Sequence, residues 1–137
     1  MKSILLKGNI HTDTRGKLLF NNNFDVSAVK RIYFIENRDT KFIRGWQGHK
    51  IEQRWFSAVK GSFLIKLIKI DDWEVPSVGL ISNEIRIESK ILDVLHVPNG
   101  YVSSIQAIEE GSKLLVMADY LVDEIEDEYR FELNYFN

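Results

Sequence analysis

Hydrophobic residues in this chain come in short runs that alternate with polar ones, and turn-forming residues separate the runs. Period-two patterning of this kind predicts strands, because successive strand side chains point to opposite faces. Arg31 to Ile35 reads as a strand ended by Glu36-Asn37-Arg38-Asp39. Gln53 to Val59 reads as a second strand. Lys60-Gly61-Ser62 then reads as a hairpin turn into a third, Phe63 to Ile70. That third strand keeps lysine on one face, so the face is expected to be wet or to line a polar cavity. Glu84 to Glu88 alternates cleanly, with isoleucine on one side. Ile91 to Val97 runs into Pro98-Asn99-Gly100, where proline sets φ and glycine supplies a positive φ for a turn. Tyr101 to Ala107 and Lys113 to Ala118 are further strands around Glu109-Glu110-Gly111-Ser112. Many short strands and almost no helix predict an all-β sandwich or jelly-roll barrel.

Two stretches fall outside this alternation. Residues 71–83, with Trp73, Pro76 and Gly79, form the longest insertion and could cover a pocket mouth or serve an interface. Residues 123–128 are acidic and read as a loop or short helical turn on a solvated surface.

Composition narrows the partners. At 137 residues the chain is expected to be one domain, 1–137. A formal charge of −2 offers no basic footprint for nucleic acid. The chain has no cysteine, which excludes disulfides, thiolate metal sites and cysteine nucleophiles, and which suits a reducing cytoplasm. No apolar run approaches the ~18 residues of a membrane helix. The N-terminal residues Met1 to Lys7 hold an apolar run too short for a signal peptide.

The candidate chemistry sits in Arg44-Gly45-Trp46-Gln47-Gly48-His49-Lys50, with Arg54 and Gly61 behind it and Pro98-Asn99-Gly100-Tyr101-Val102-Ser103 further on. The spacing resembles the two cupin motifs, in which His-x-His, an acid and a glycine are followed by Pro-x-Gly-x-x-His. Here Gln47 stands for the first His, Arg54 for the acid and Ser103 for the last His, leaving His49 alone. Arginine cannot ligate a metal and one histidine does not make a site, so no metal is expected. Strand alternation puts Gln47 and His49 on the same face. His11 and His96 read as incidental, and Asp13 and Arg15 as a pair that fixes a turn at Gly16.

Four blocks extend the resemblance over most of the chain: Asp13-Thr14-Arg15-Gly16-Lys17-Leu18, Val29 to Ile35, Arg44 to Lys50 and Asp119-Tyr120. Together they resemble the WxcM-like cupins, 3,4-ketoisomerases of dTDP-4-keto-6-deoxy-sugars, and more distantly the dTDP-4-dehydrorhamnose 3,5-epimerases. The resemblance implies a cupin double-stranded β-helix, a homodimer, a dTDP-sugar substrate, surface polysaccharide biosynthesis, and neither a metal nor an organic cofactor. It also implies roles. His49 would be the base and Tyr120 the proton donor. Arg44, Lys50 and Arg54 would contact anionic oxygens, and Gln47, Tyr33, Tyr101 and Ser103 would line the pocket. Glutamine at 47 and serine at 103 cannot act as bases at neutral pH, which keeps a second reading open. In it the chain is a cupin that binds a nucleotide sugar or carbohydrate without turnover. A purely structural barrel, its pocket filled by its own side chains, is the third.

Overall fold

The computed structural model describes residues 2–136; Met1 and Asn137 lie outside them. The chain folds into twelve strands, and a 3-10 turn at Val26–Ala28 is the one helical element among the described residues. Among the described residues no helix is long and apolar enough to cross a membrane. The early strands are β1 (Ile4–Leu6), β2 (Asn9–Asp13), β3 (Gly16–Phe20) and β4 (Arg31–Ile35). β5 (Ile43–His49), β6 (Arg54–Lys60), β7 (Ser62–Lys69) and β8 (Asn83–Glu88) form the middle. β9 (Val94–Val97), β10 (Tyr101–Ala107), β11 (Lys113–Ala118) and the short β12 (Tyr129–Arg130) complete the set.

Two five-stranded sheets face each other, in the orders β1-β9-β6-β11-β4 and β12-β5-β10-β7-β8. Every pairing is antiparallel. This is the jelly-roll expected from the pattern, though the sheets are not hydrogen-bonded to each other into a closed barrel. The expected hairpin at Lys60-Gly61-Ser62 is corrected. β6 and β7 belong to different sheets, so this turn is an arch across the core. Gly61 makes the arch possible: its φ is +69°, and a Cβ there would come within 2.1 Å of Ser112 Oγ. Local patterning cannot distinguish the two, because both need a tight glycine turn between alternating runs.

The core fills the gap between the sheets. Phe63, Ile65, Leu67, Ile87, Leu114 and Val116 are essentially without solvent exposure and belong to one cluster. The outer face of the second sheet carries Trp46, Ile68, Ile70 and Val102, covered by Phe136 and flanked by Phe131 and Tyr135. The 71–83 stretch joins this covering layer. Trp73 packs on Tyr129 at 4.7 Å, and Tyr135 Oη donates to the Pro76 carbonyl at 2.6 Å. It therefore sits behind the second sheet and does not line the cavity between the sheets. The lysine face of β7 is also outward, with Lys66 paired to Glu84 at 3.4 Å.

Candidate functional site

The two sequence motifs converge because their strands are neighbours. In the β5–β10 register Gln47 lies opposite Ser103 and His49 opposite Tyr101. β6 faces them from the other sheet and brings in Arg54, and β4, at the edge of that sheet, brings in Tyr33. Gly48 permits the close approach of β5 to β10, since a Cβ there would meet the Tyr101 carbonyl at 2.3 Å. The result is a small chamber of about 40 Å³ between the sheets. Tyr33, Arg44, Gln47, His49, Arg54, Tyr101 and Ser103 all line it, over an apolar floor that includes Ile35, Phe56 and Ile105.

Seven of the nine expected site residues thus meet in one place, and Lys50 and Tyr120 fall outside the lining. Lys50 is exposed one position beyond His49, so alternation turns its side chain away, and its N–H is held by Asp127 Oδ1 at 2.9 Å. Tyr120 follows the end of β11, where its ring lies 5.7 Å from Lys30 Nζ. The preceding Asp119 accepts from the Gln53 N–H at 2.8 Å. His96 is also structural in its setting: it stacks on Trp55 at 5.2 Å and lies 2.7 Å from Gln53 Oε1. Asp13 and Arg15 do pair, at 2.7 Å, beside Gly16 at φ +129°.

Two acids that carry the site's electrostatics were not singled out by the motifs. The first is Glu52, buried between β5 and β6, whose Oε1 lies 3.1 Å from Arg54 Nη2. Its Oε2 lies 3.6 Å from His49 Nδ1. An acid two positions before the arginine that replaced the expected acid was a legible signal. The second is Asp127, which corrects the reading of 123–128 as plain solvated surface. Asp127 is 5% exposed, and its carboxylate accepts from the N–H groups of Lys50, Ile51 and Glu52 at 2.9, 2.8 and 2.7 Å. Its carbonyl takes His49 Nδ1 at 2.9 Å. Its neighbour Glu128 accepts from the Gln47 amide. No local pattern could announce this, because the partners are some 75 residues apart in sequence.

The hydrogen bond to Asp127 fixes the tautomer of the neutral His49 ring. A carbonyl oxygen can only accept, so Nδ1 carries the proton and Nε2 is the basic nitrogen of the neutral ring. Burial, and next the charge of Arg54, push the His49 pKa down to about 4. The ring is therefore neutral at pH 7. Burial pushes the Glu52 carboxyl up from its ordinary value, against the pull of Arg54 and Arg31. Arg54 Nη1 donates to Tyr33 Oη at 2.7 Å, while Arg54 Nε is buried without a hydrogen-bond partner among the described residues. Since Tyr33 accepts here, its own O–H remains free to donate elsewhere.

His49, Glu52 and Asp127 each bring a potential ligand atom within 4.8 Å of the others. This group does not suit a cation. Both Asp127 oxygens already accept backbone N–H groups, and Glu52 faces a guanidinium. What the chamber offers is a neutral imidazole, a buried guanidinium and a phenol. That set suits moving a proton beside a developing oxyanion.

The geometry can be set beside known proteins. No curated protein matches the sequence. Among solved structures, the fold is similar to the sugar 3,4-ketoisomerase from Thermoanaerobacterium thermosaccharolyticum, solved in complex with TDP-4-keto-6-deoxyglucose. The two are 25% identical with a TM-score of 0.73, over 98% of this chain and 91% of that one. The TDP-quinovose 3,4-ketoisomerase from Campylobacter jejuni is 22% identical, with a TM-score of 0.70 over 97% of this chain and 95% of that one. The Mycobacterium tuberculosis rmlC epimerase shares the fold at 13% identity and a TM-score of 0.73, over 94% of this chain and 68% of that one. A sequence model of the family described as FdtA: WxcM-like, C-terminal, matches residues 1–137. The chain belongs to the WxcM-like, C-terminal family.

Proposed function

We propose that this protein is a nucleotide-sugar isomerase that moves a keto group between neighbouring carbons of a TDP-4-keto-6-deoxy-sugar, in the assembly of a surface polysaccharide. Family membership and the ketoisomerase likeness supply the substrate class. The observation that carries the chemistry is the chamber itself, in which one neutral imidazole is set among Arg54, Tyr33 and Gln47. The C4 carbonyl acidifies the proton on C3. His49 Nε2 takes that proton, and the resulting enediolate oxygen is stabilised by the Arg54 guanidinium and the Tyr33 hydroxyl. Proton return at C4, with transfer of the O3 proton to O4, leaves the keto group on C3 and a hydroxyl on C4. Tyr33 takes the donor role expected of Tyr120, because it is the tyrosine whose hydroxyl meets Arg54 at the chamber. Arg44, exposed at the rim, suits a diphosphate oxygen.

The test is solvent-deuterium incorporation into dTDP-4-keto-6-deoxyglucose, followed by NMR, in the wild type and His49→Asn. Exchange at C3 is expected, reduced at least ~100-fold in the variant. Wild-type protein that binds the sugar and exchanges nothing overturns the isomerase reading and leaves the binding protein. One observation favours that second reading: a histidine with a pKa of about 4 is a weak base, and Gln47 beside it is tied to Glu128.

The protein also acts as a homodimer in this reading. Among the described residues the β2–β3 hairpin pairs with no other strand, and it exposes Ile10 and Leu18. A lone two-stranded hairpin is marginal in water, and a second copy would bury it. Light scattering should give twice the 16.0 kDa chain mass, and a monomer at assay concentration would remove this part of the proposal.

A further inference from the structure

His49 has to accept a positive charge next to Arg54, which is already positive and buried. Left to themselves the two cations would repel in a medium that screens poorly. Groups of both signs surround the His49–Glu52 pair. Arg54 and Arg31 stand on β6 and β4, Asp119 just past the end of β11, and Asp127 and Glu128 on the segment before β12. Asp127 and Glu128 also favour a charge on the ring, though the Asp127 carboxylate caps three backbone N–H groups and Glu128 meets Gln47 and Arg130. Asp119 is held by Gln53. Glu52 alone has one carboxylate oxygen on each of the two groups that matter. Oε1 is 3.1 Å from Arg54 Nη2, and Oε2 is 3.6 Å from His49 Nδ1. Oε1 is buried without a hydrogen-bond partner among the described residues, so its pairing with Arg54 is one of charge more than of aligned hydrogen bonding.

We propose that Glu52 is a positioning residue for the proton-transfer step: its carboxylate faces the protonated edge of His49 and anchors Arg54, supplying the charge that lets the ring become an imidazolium there. The proposal rests on the isomerase reading for its consequence in turnover, and on geometry alone for its effect on His49. In the step itself, Nε2 receives the substrate proton, Nδ1 keeps its own, and the new positive charge lies between the Asp127 carbonyl and Glu52 Oε2. No proton passes to Glu52, and the ring returns to neutral when the substrate is reprotonated. The acid of the cupin pattern is thus replaced by arginine at 54, and a carboxylate reaches the same chamber from position 52. Without Glu52, Arg54 would also lose its only anionic partner among the described residues. Its Nη1 would then no longer be held toward Tyr33 from the opposite side.

The experiment replaces the charge and keeps the shape. Glu52→Gln and Glu52→Asp are compared with the wild type for kcat and KM, and the His49 ring is titrated by NMR after specific isotope labelling. For Glu52→Gln, kcat should fall roughly tenfold or more with KM within about twofold. Glu52, held above its ordinary value by burial, takes up its proton above the His49 midpoint of about 4, so the wild-type ring resonances should show a second inflection there, and Glu52→Gln should lack it. Glu52→Asp keeps the charge one methylene further away and should fall between in kcat. A wild-type ring without that inflection overturns the proposal and leaves Glu52 as a packing residue. Should Glu52→Gln fail to fold, the wild type and Glu52→Asp decide: an inflection in the wild type with kcat lowered in Glu52→Asp supports the proposal, and its absence from the wild type overturns it. The titration needs no substrate. A wild type with no exchange activity would therefore sink the isomerase reading while the inflection still decides the role of Glu52.

Discussion

The gap between the two sheets has an apolar end and a polar end, built by the same strands on the same faces. Along β6 the inward residues run Arg54, Phe56, Ala58, and along β10 they run Tyr101, Ser103, Ile105, Ala107. Towards Phe63 and Leu114 everything inward is apolar and tightly packed. Towards His49 the lining becomes ionic within two residues, and buried charge is held by partners from distant segments. The apolar end is stabilised by transfer from water, which is non-directional and tolerant of detail. The polar end depends on geometry, since a buried charge is favourable only while its partner stays in place. The first end holds the scaffold, and the second is where the scaffold can do chemistry.

Two changes would sharpen that contrast. The larger is Phe63→Ala, which removes a fully buried ring and should cost about 3–5 kcal/mol of unfolding free energy by denaturant titration. Where the protein remains folded, the His49 titration midpoint should be unchanged, because the cavity would open at the far end. A shifted midpoint would show that the two ends are one mechanical unit.

The smaller concerns pH. Unfolded, the His49 ring takes up a proton as pH falls through about 6.5, whereas folded it does so only near 4. The unfolded state therefore binds more protons between those values, and folding stability falls as pH is lowered from about 6.5 to 4, then levels off. The shift corresponds to roughly 3 kcal/mol. His49→Asn should show a shallower loss over the same window, and carboxylates contribute to both proteins alike. Equal slopes for the two proteins would mean that the ring is not held neutral by burial.

Strand identity was legible from local pattern. Tyr101–Ala107 and Lys113–Ala118 emerged with the observed bounds, because their alternation reports directly on one buried and one exposed face. Strands β1 to β3 were not read as such; β2 is exposed throughout and β3 is largely so, and strands without a buried face carry no such alternation. The turn at Gly61 was legible as a turn and misread as a hairpin, because sheet membership depends on partners across the fold. The site divided in the same way. Arg44, Gln47, His49, Arg54, Tyr101 and Ser103 were recognisable from motif spacing and Tyr33 from the family resemblance, and all seven converge.

Strand periodicity and motif spacing are short-range properties, and they were enough for an all-β fold, its family and most of the chamber lining. The electrostatics came from long-range contacts. The tertiary structure brought Asp127 back to cap the loop after His49, set Glu52 between His49 and Arg54, and left Lys50 and Tyr120 outside. Those outcomes depend on distances of a few ångströms between segments far apart in the chain, where Coulomb and hydrogen-bond energies change steeply and no local pattern records them.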